Sequence, residues 1–321
     1  MGLYLAKRLL QLLPILLVIL ILNFILIHLA PGDPILYLIG DAPVSEEFVA
    51  EVRARMGLDR PIIEQLWIYL ANVAQGDLGY SFISRAAVTE VILARLPATL
   101  LLMGTQYVIA IVLGVLLGAI SARWQGSLVD TGATLFSVVG YAMPVFWLGQ
   151  ILMLVFALQL RWFPAQGMLS LRYDLTPFEV TLDVLHHLVL PAITLAFFNL
   201  ALIVRLTRAN MLQVLRLEYI IFARSKGIGE RQVLFRHALR NAVLPVVTII
   251  GLNIKTLVAG AVLTETVFAW PGLGRLTYDA IYARDYPVLM GMFLFIGLLV
   301  IIGNLITDLV YAWLDPRIRY Q

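Results

Sequence analysis

Six stretches of twenty or more mostly apolar residues limit what this chain can become: 9–30, 98–121, 131–158, 187–206, 241–264 and 287–313. Twenty helical residues rise about 30 Å, the thickness of a bilayer's hydrocarbon core. Backbone groups in lipid have no water to bond, so such a run must be helical to satisfy itself. The reading is an all-α polytopic membrane protein with six transmembrane helices. Composition agrees: 61% of residues are hydrophobic and 13% charged, where a soluble domain averages about 45–50% and 25%. There is no cysteine, which removes disulfides and thiolate chemistry.

The first run follows Lys7 and Arg8 and is longer than the core of a cleaved signal, about 7–15 residues. It ends in the turn cluster Ala30-Pro31-Gly32-Asp33-Pro34, so residues 1–30 read as a retained first span. Asn23 and His28 within it suit interhelical hydrogen bonds. Residues 31–98 carry nine acids and five arginines and read as a helical extracytoplasmic segment. Ser45 can start a helix there. Ile62, Leu66, Leu70 and Val73 form an apolar stripe expected to pack on the membrane domain. Residues 99–321 form the core. Within it Gly114 and Gly118 permit close helix approach, and Met143-Pro144 predicts a kink in the third span. His186-His187 reads as an interface pair rather than a metal site, because adjacent residues point apart on a helix.

Charge sets the orientation. Between residues 208 and 240 lie seven basic residues (Arg208, Arg216, Arg224, Lys226, Arg231, Arg236, Arg240) and two acids, Glu218 and Glu230. A segment that basic belongs in the cytoplasm. Twelve basic residues then fall in inner regions against four in the shorter outer loops, placing both termini inside.

The segment 218–245 reads as an elbow. Two short helices flank Gly227-Ile228-Gly229, the first ending at Gly227, where glycine accepts left-handed angles. In the second helix Gln232, Arg236 and Arg240 share one side, and Leu234, Phe235, Ala238, Leu239 and Ala242 make an apolar one. Such a helix can lie on the membrane surface and present a ridge to a partner. Anionic headgroups alone would also hold a basic loop.

The wording of the elbow favours a protein partner. Ala223-Arg224-Ser225-Lys226-Gly227, then Arg236-His237-Ala238-Leu239-Arg240-Asn241 and Leu244-Pro245, resemble the loop by which ABC importer permeases contact their ATPases. The form is similar to the dipeptide/oligopeptide permease family. Ala30–Pro34, Thr264–Gly274, Arg284–Pro287 and Asp315–Arg319 match further patterns of that family in order. The long segment after the first span resembles its first permease subunit.

The resemblance implies a type I ABC importer permease fold in a bacterial or archaeal plasma membrane. It implies a heterodimer with a second permease, one or two ATPase subunits and an extracytoplasmic solute-binding protein. ATP and magnesium would be bound by the ATPases. This chain has no G-x-x-x-x-G-K-[ST] loop, is not expected to be an enzyme, and needs no cofactor, metal or nucleic acid. Glu218, Ala223, Arg224, Lys226, Gly227, Gly229, Glu230 and Arg231 are the expected coupling residues. Asn253, Lys255, Thr256 and Glu265 are the expected pathway residues. Lys255 would meet a cargo carboxylate or pair with the second permease. Asp308 lies about 15 Å too far along its own helix to neutralise it. Cargo could also be glutathione, a nickel chelate or a sugar. An ion-driven carrier would want more buried acids, and an intramembrane hydrolase would want a partner for Ser137.

Overall fold

In the computed structural model the described residues are 2–29, 45–55, 59–81, 83–170, 176–253 and 261–314. Helix α1 (Gly2–Leu29) is followed by α2 (Glu46–Arg55) and α3 (Ile62–Ala74). A short antiparallel hairpin, β1 (Tyr80–Ser81) with β2 (Ala86–Ala87), leads into α4 (Val88–Arg123). Then come α5 (Leu128–Ala142), α6 (Val145–Leu152) with a π-helical turn (Met153–Gln159), and α7 (Pro177–Val214). The elbow holds α8 (Glu218–Ser225), α9 (Glu230–Gln232), a second π turn (Val233–Ala238) and α10 (Leu239–Ala242). The chain continues through α11 (Leu244–Asn253), α12 (Val262–Val267), α13 (Leu273–Ala283) and α14 (Tyr286–Leu314).

Three helices among the described residues are long and apolar enough to cross a bilayer: α4, α7 and residues 286–305 of α14. The bent pair of α5 and α6 with its π turn makes a fourth if counted as one span. The expected kink at Met143-Pro144 is in fact a bend of 107°. Proline bars the helical region to the residue before it, and Met143 is extended at ψ 128°, so α6 restarts in a new direction. Helix α4 begins at Val88 and runs unbroken through residue 98.

Parallel helices α4 and α7 form the spine. A Cβ built on Gly114 would sit 2.7 Å from Ile203, and one on Gly118 would sit 2.7 Å from the Val204 carbonyl and 2.6 Å from Thr207. The small-residue pair therefore fixes how closely the helices pack. Gly118→Leu is expected to destabilise the solubilised protein by about 2 kcal/mol or more through overpacking. Gly104→Ala, where nothing lies within 4 Å, serves as the neutral control in the same thermal unfolding assay.

The spine has two ends. At the hairpin end Val88, Ile92, Leu273, Val288 and Met292 share a core, and the Ser81 hydroxyl donates to Asp285 at 2.5 Å. At the other end the elbow is packed. In helix α3 the stripe residues Leu66, Leu70 and Val73 are half-buried. None of its residues is buried, and Ile62 of the stripe is 56% exposed. It leans on α1 through its Gln65 and Tyr69 side, with His28 Nε2 3.1 Å from Gln65 and Phe24 stacked near Tyr69.

Candidate functional site

Helix α8 puts Glu218 in its first turn and Arg224 in its last, each charge opposing the helix dipole. Its end is closed by two backbone bonds, Ile228 N–H to Ala223 and Gly227 N–H to Arg224. That Schellman pattern needs a left-handed residue, and Gly227 supplies it at φ +74°. A Cβ at Gly227 would touch nothing within 4 Å, so the backbone angle demands glycine here, not lack of room. Gly229, at φ −61°, uses a conformation open to any residue.

The second arm also departs from the expected period. A π turn over 233–238 replaces i→i+4 bonds with i→i+5 and rotates the following side chains. Val233, Leu234, Ala238 and Ala242 face inward, while Phe235 is 40% exposed. The inward residues join Ile220 and Ala223 of α8, Ala119 and Ala122 of α4, and Met211 of α7 in one core. The arm's apolar face is thus spent on this protein rather than on the membrane surface. Ala223, expected among the coupling contacts, is a buried packing residue; Glu218, Arg224, Lys226, Gly227, Gly229 and Arg231 are exposed.

Polar contacts hold the arms together. Glu230 accepts from Arg224 at 2.8 Å and lies 3.6 Å from Arg123 at the end of α4. These groups are about 40% exposed, so each contact contributes less than about 1 kcal/mol and acts mainly to orient. Asn241 donates to the Tyr219 hydroxyl at 2.7 Å. The Lys226 ammonium sits 4.4 Å over the Phe222 ring. Around it Leu217, Ile221 and Phe222 are 48–60% exposed, an apolar ridge bordered by Arg224, Lys226 and Arg231. An open groove of about 630 Å³ runs beside the second arm, lined by Leu116, Gly229, Arg231, Gln232, Phe235 and Arg236.

Beneath the elbow sits a clasp that sequence reasoning missed. Arg208 of α7 makes a two-pronged bond to Asp130 of α5, at 2.5 and 2.8 Å. Ser121 of α4 and the Gly126 N–H also donate to that carboxylate, at 2.6 and 2.9 Å. The local signal was Ser127, whose hydroxyl accepts from the Asp130 N–H and starts α5. Nothing local pointed to Arg208, 78 residues away.

The expected pathway residues do not come together in what is described. Lys255 and Thr256 lie outside the described residues, and Asn253 ends α11. Glu265 is 0% exposed and works as an internal strut. It accepts from Thr99 at 3.2 Å, from the Arg275 N–H at 2.9 Å and from the Ala261 N–H at 3.4 Å. Thr99 in turn accepts from the Leu273 N–H, and the Trp270 indole donates to the Ala98 carbonyl. Glycine at 272 makes room, because a Cβ there would lie 2.4 Å from the Glu265 carboxylate. His186 donates to the Trp162 carbonyl and His187 to the Asp183 carbonyl, and among the described residues no cluster of three metal-type ligands forms.

Long apolar helices with a basic, protein-packed elbow define a multi-pass membrane component. Comparison makes the class specific. Residues 114–320 match the family described as binding-protein-dependent transport system inner membrane component, and residues 1–103 match its N-terminal region. The chain belongs to that family. It is 44% identical to the di/tripeptide transport system permease protein of Pseudomonas aeruginosa, over 99% of each chain. It is 44% identical to an oligopeptide transport system permease protein of Bacillus subtilis over the whole of both. With the dipeptide transport system permease protein of Escherichia coli it shares 40% over 99% of each.

Proposed function

We propose that this chain is the first permease subunit of an ATP-driven peptide importer in a bacterial inner membrane. The observation that carries the reading is full-length identity of 40–44% to permeases named for di-, tri- and oligopeptide transport. Six spans with both termini cytoplasmic, after the charge count, put the elbow on the side where nucleotide is available. A second permease completes the path, one or two ATPases dock on 218–231, and an external binding protein delivers cargo. ATP and magnesium belong to the ATPases.

The elbow's packing suggests how work is passed on. Ile220, Val233 and Ala238 share a core with Ala119, Ala122 and Met211. Displacing the elbow therefore drags the ends of α4 and α7 with it. ATP binding draws the ATPases together and tilts those helices to open the path outward; hydrolysis returns it.

The test is uptake of labelled di- and tripeptides into proteoliposomes holding both permeases, with the ATPases and binding protein added or withheld. Uptake should require all parts and ATP. Failure to import any peptide with every part present would overturn the peptide reading. Gly227→Val is expected to cut ATP-driven uptake about tenfold or more. Its thermal stability should fall by only about 1–2 kcal/mol, the cost of a left-handed non-glycine residue. Full uptake by that variant would remove Gly227 from the coupling role.

A further inference from the structure

We propose that Arg205, with Tyr141 and Phe198, forms a site on the open face of α5 and α7 that takes a carboxylate of the cargo in transit. This rests on the peptide-importer reading above. Arg205 falls within the fourth apolar run, 187–206.

Helix α7 is the most enclosed of the three spans. From residue 187 to 208 only Ile193 and Arg205 are exposed, so the guanidinium is the single charged group this stretch offers at its open surface. Its described contact is the Tyr141 ring, 5.4 Å from the guanidinium carbon. Tyr141 is half exposed and stacked on Phe198 at 5.1 Å. Arg205 makes no ion pair among the described residues, and an aromatic ring attracts a cation without neutralising it. A guanidinium at membrane depth is costly unless it meets water or an anion.

Direction separates the possible anions. Arg208, three residues on, marks the elbow end through Asp130. An arginine bound to headgroups at that end would reach toward it. Side chains instead lean toward their helix's N-terminus, which for α7 is the hairpin end, where Leu188 and Ala192 pack with Trp270. Tyr141 lies eleven residues beyond Asp130 along α5, about 16 Å farther along that helix and away from the elbow end. The guanidinium is therefore held away from the headgroup level, over an open aromatic platform. A short peptide's terminal carboxylate fits that charge, and its side chains fit the rings.

The test uses the complex of both permeases and the ATPases in nanodiscs, without binding protein. Saturation-transfer NMR reads contact with a tripeptide bearing a free carboxylate and with its C-terminal amide. The wild type should favour the free acid. Arg205→Gln should lower that signal about tenfold, to the level of the amide, as loss of one charge-assisted bond implies. Arg205→Lys should keep much of it, and Tyr141→Ala should weaken both ligands. Equal free-acid signals in wild type and Arg205→Gln would overturn the site, as would no free-acid signal in the wild type. Loss of the second permease on purifying Arg205→Gln would assign Arg205 to a subunit ion pair instead. Loss of co-purified anionic lipid with peptide contact intact would assign it to a headgroup. Peptide uptake by the same wild-type complex with binding protein keeps the two readings apart. If uptake proceeds, only the site has failed; without uptake, the importer reading has failed.

Discussion

Asp130→Ala should be the most damaging single change at the elbow end, lowering stability by about 3–5 kcal/mol, because removing one partner strands a charge. The Asp130 side chain is only 7% exposed and that of Arg208 is 27% exposed. Three donors from three other segments converge on this carboxylate: Arg208 of α7, Ser121 of α4 and Gly126 of the turn between α4 and α5. Arg208→Ala should also destabilise, and the double variant should lose less than the sum, since the two residues are in contact. Additive losses in thermal unfolding would show that the pair is not a unit.

Glu265→Ala should be comparably severe at the hairpin end, again about 3–5 kcal/mol, because it opens a cavity and leaves enclosed donors unpaired. The Arg275 and Ala261 N–H groups and the Thr99 hydroxyl all lose their acceptor. Glu265→Gln keeps the shape and one acceptor oxygen, so its loss should be about 1–2 kcal/mol. An alanine variant that unfolds within about 1 kcal/mol of wild type would mean that water reaches these groups and that Glu265 is not a strut.

Local features were legible and distant ones were not. Gly227 could be read from the chain because a left-handed angle is a property of one residue. The arm's apolar side was misassigned at Phe235 and missed Val233, because periodicity assumes the α-helix and a π turn breaks it. Pro144 marked the break after α5, but the 107° change in direction depends on what α6 packs against. Asp130–Arg208 and Thr99–Glu265 join residues 78 and 166 apart, and no spacing rule reaches that far. Arg205 was visible as a charge within an apolar run, yet its exposure on an otherwise enclosed helix needed the fold.

The central claim is that the elbow faces the nucleotide side and carries the ATPase. The chain has no cysteine, so Lys226→Cys would be its single thiol. A membrane-impermeant maleimide applied to sealed vesicles of both orientations, with and without bound ATPase, reads that site directly. Labelling only in inside-out vesicles, and protection when the ATPase is bound, is the result expected. Labelling in right-side-out vesicles, or equal labelling with and without the ATPase, would contradict the account.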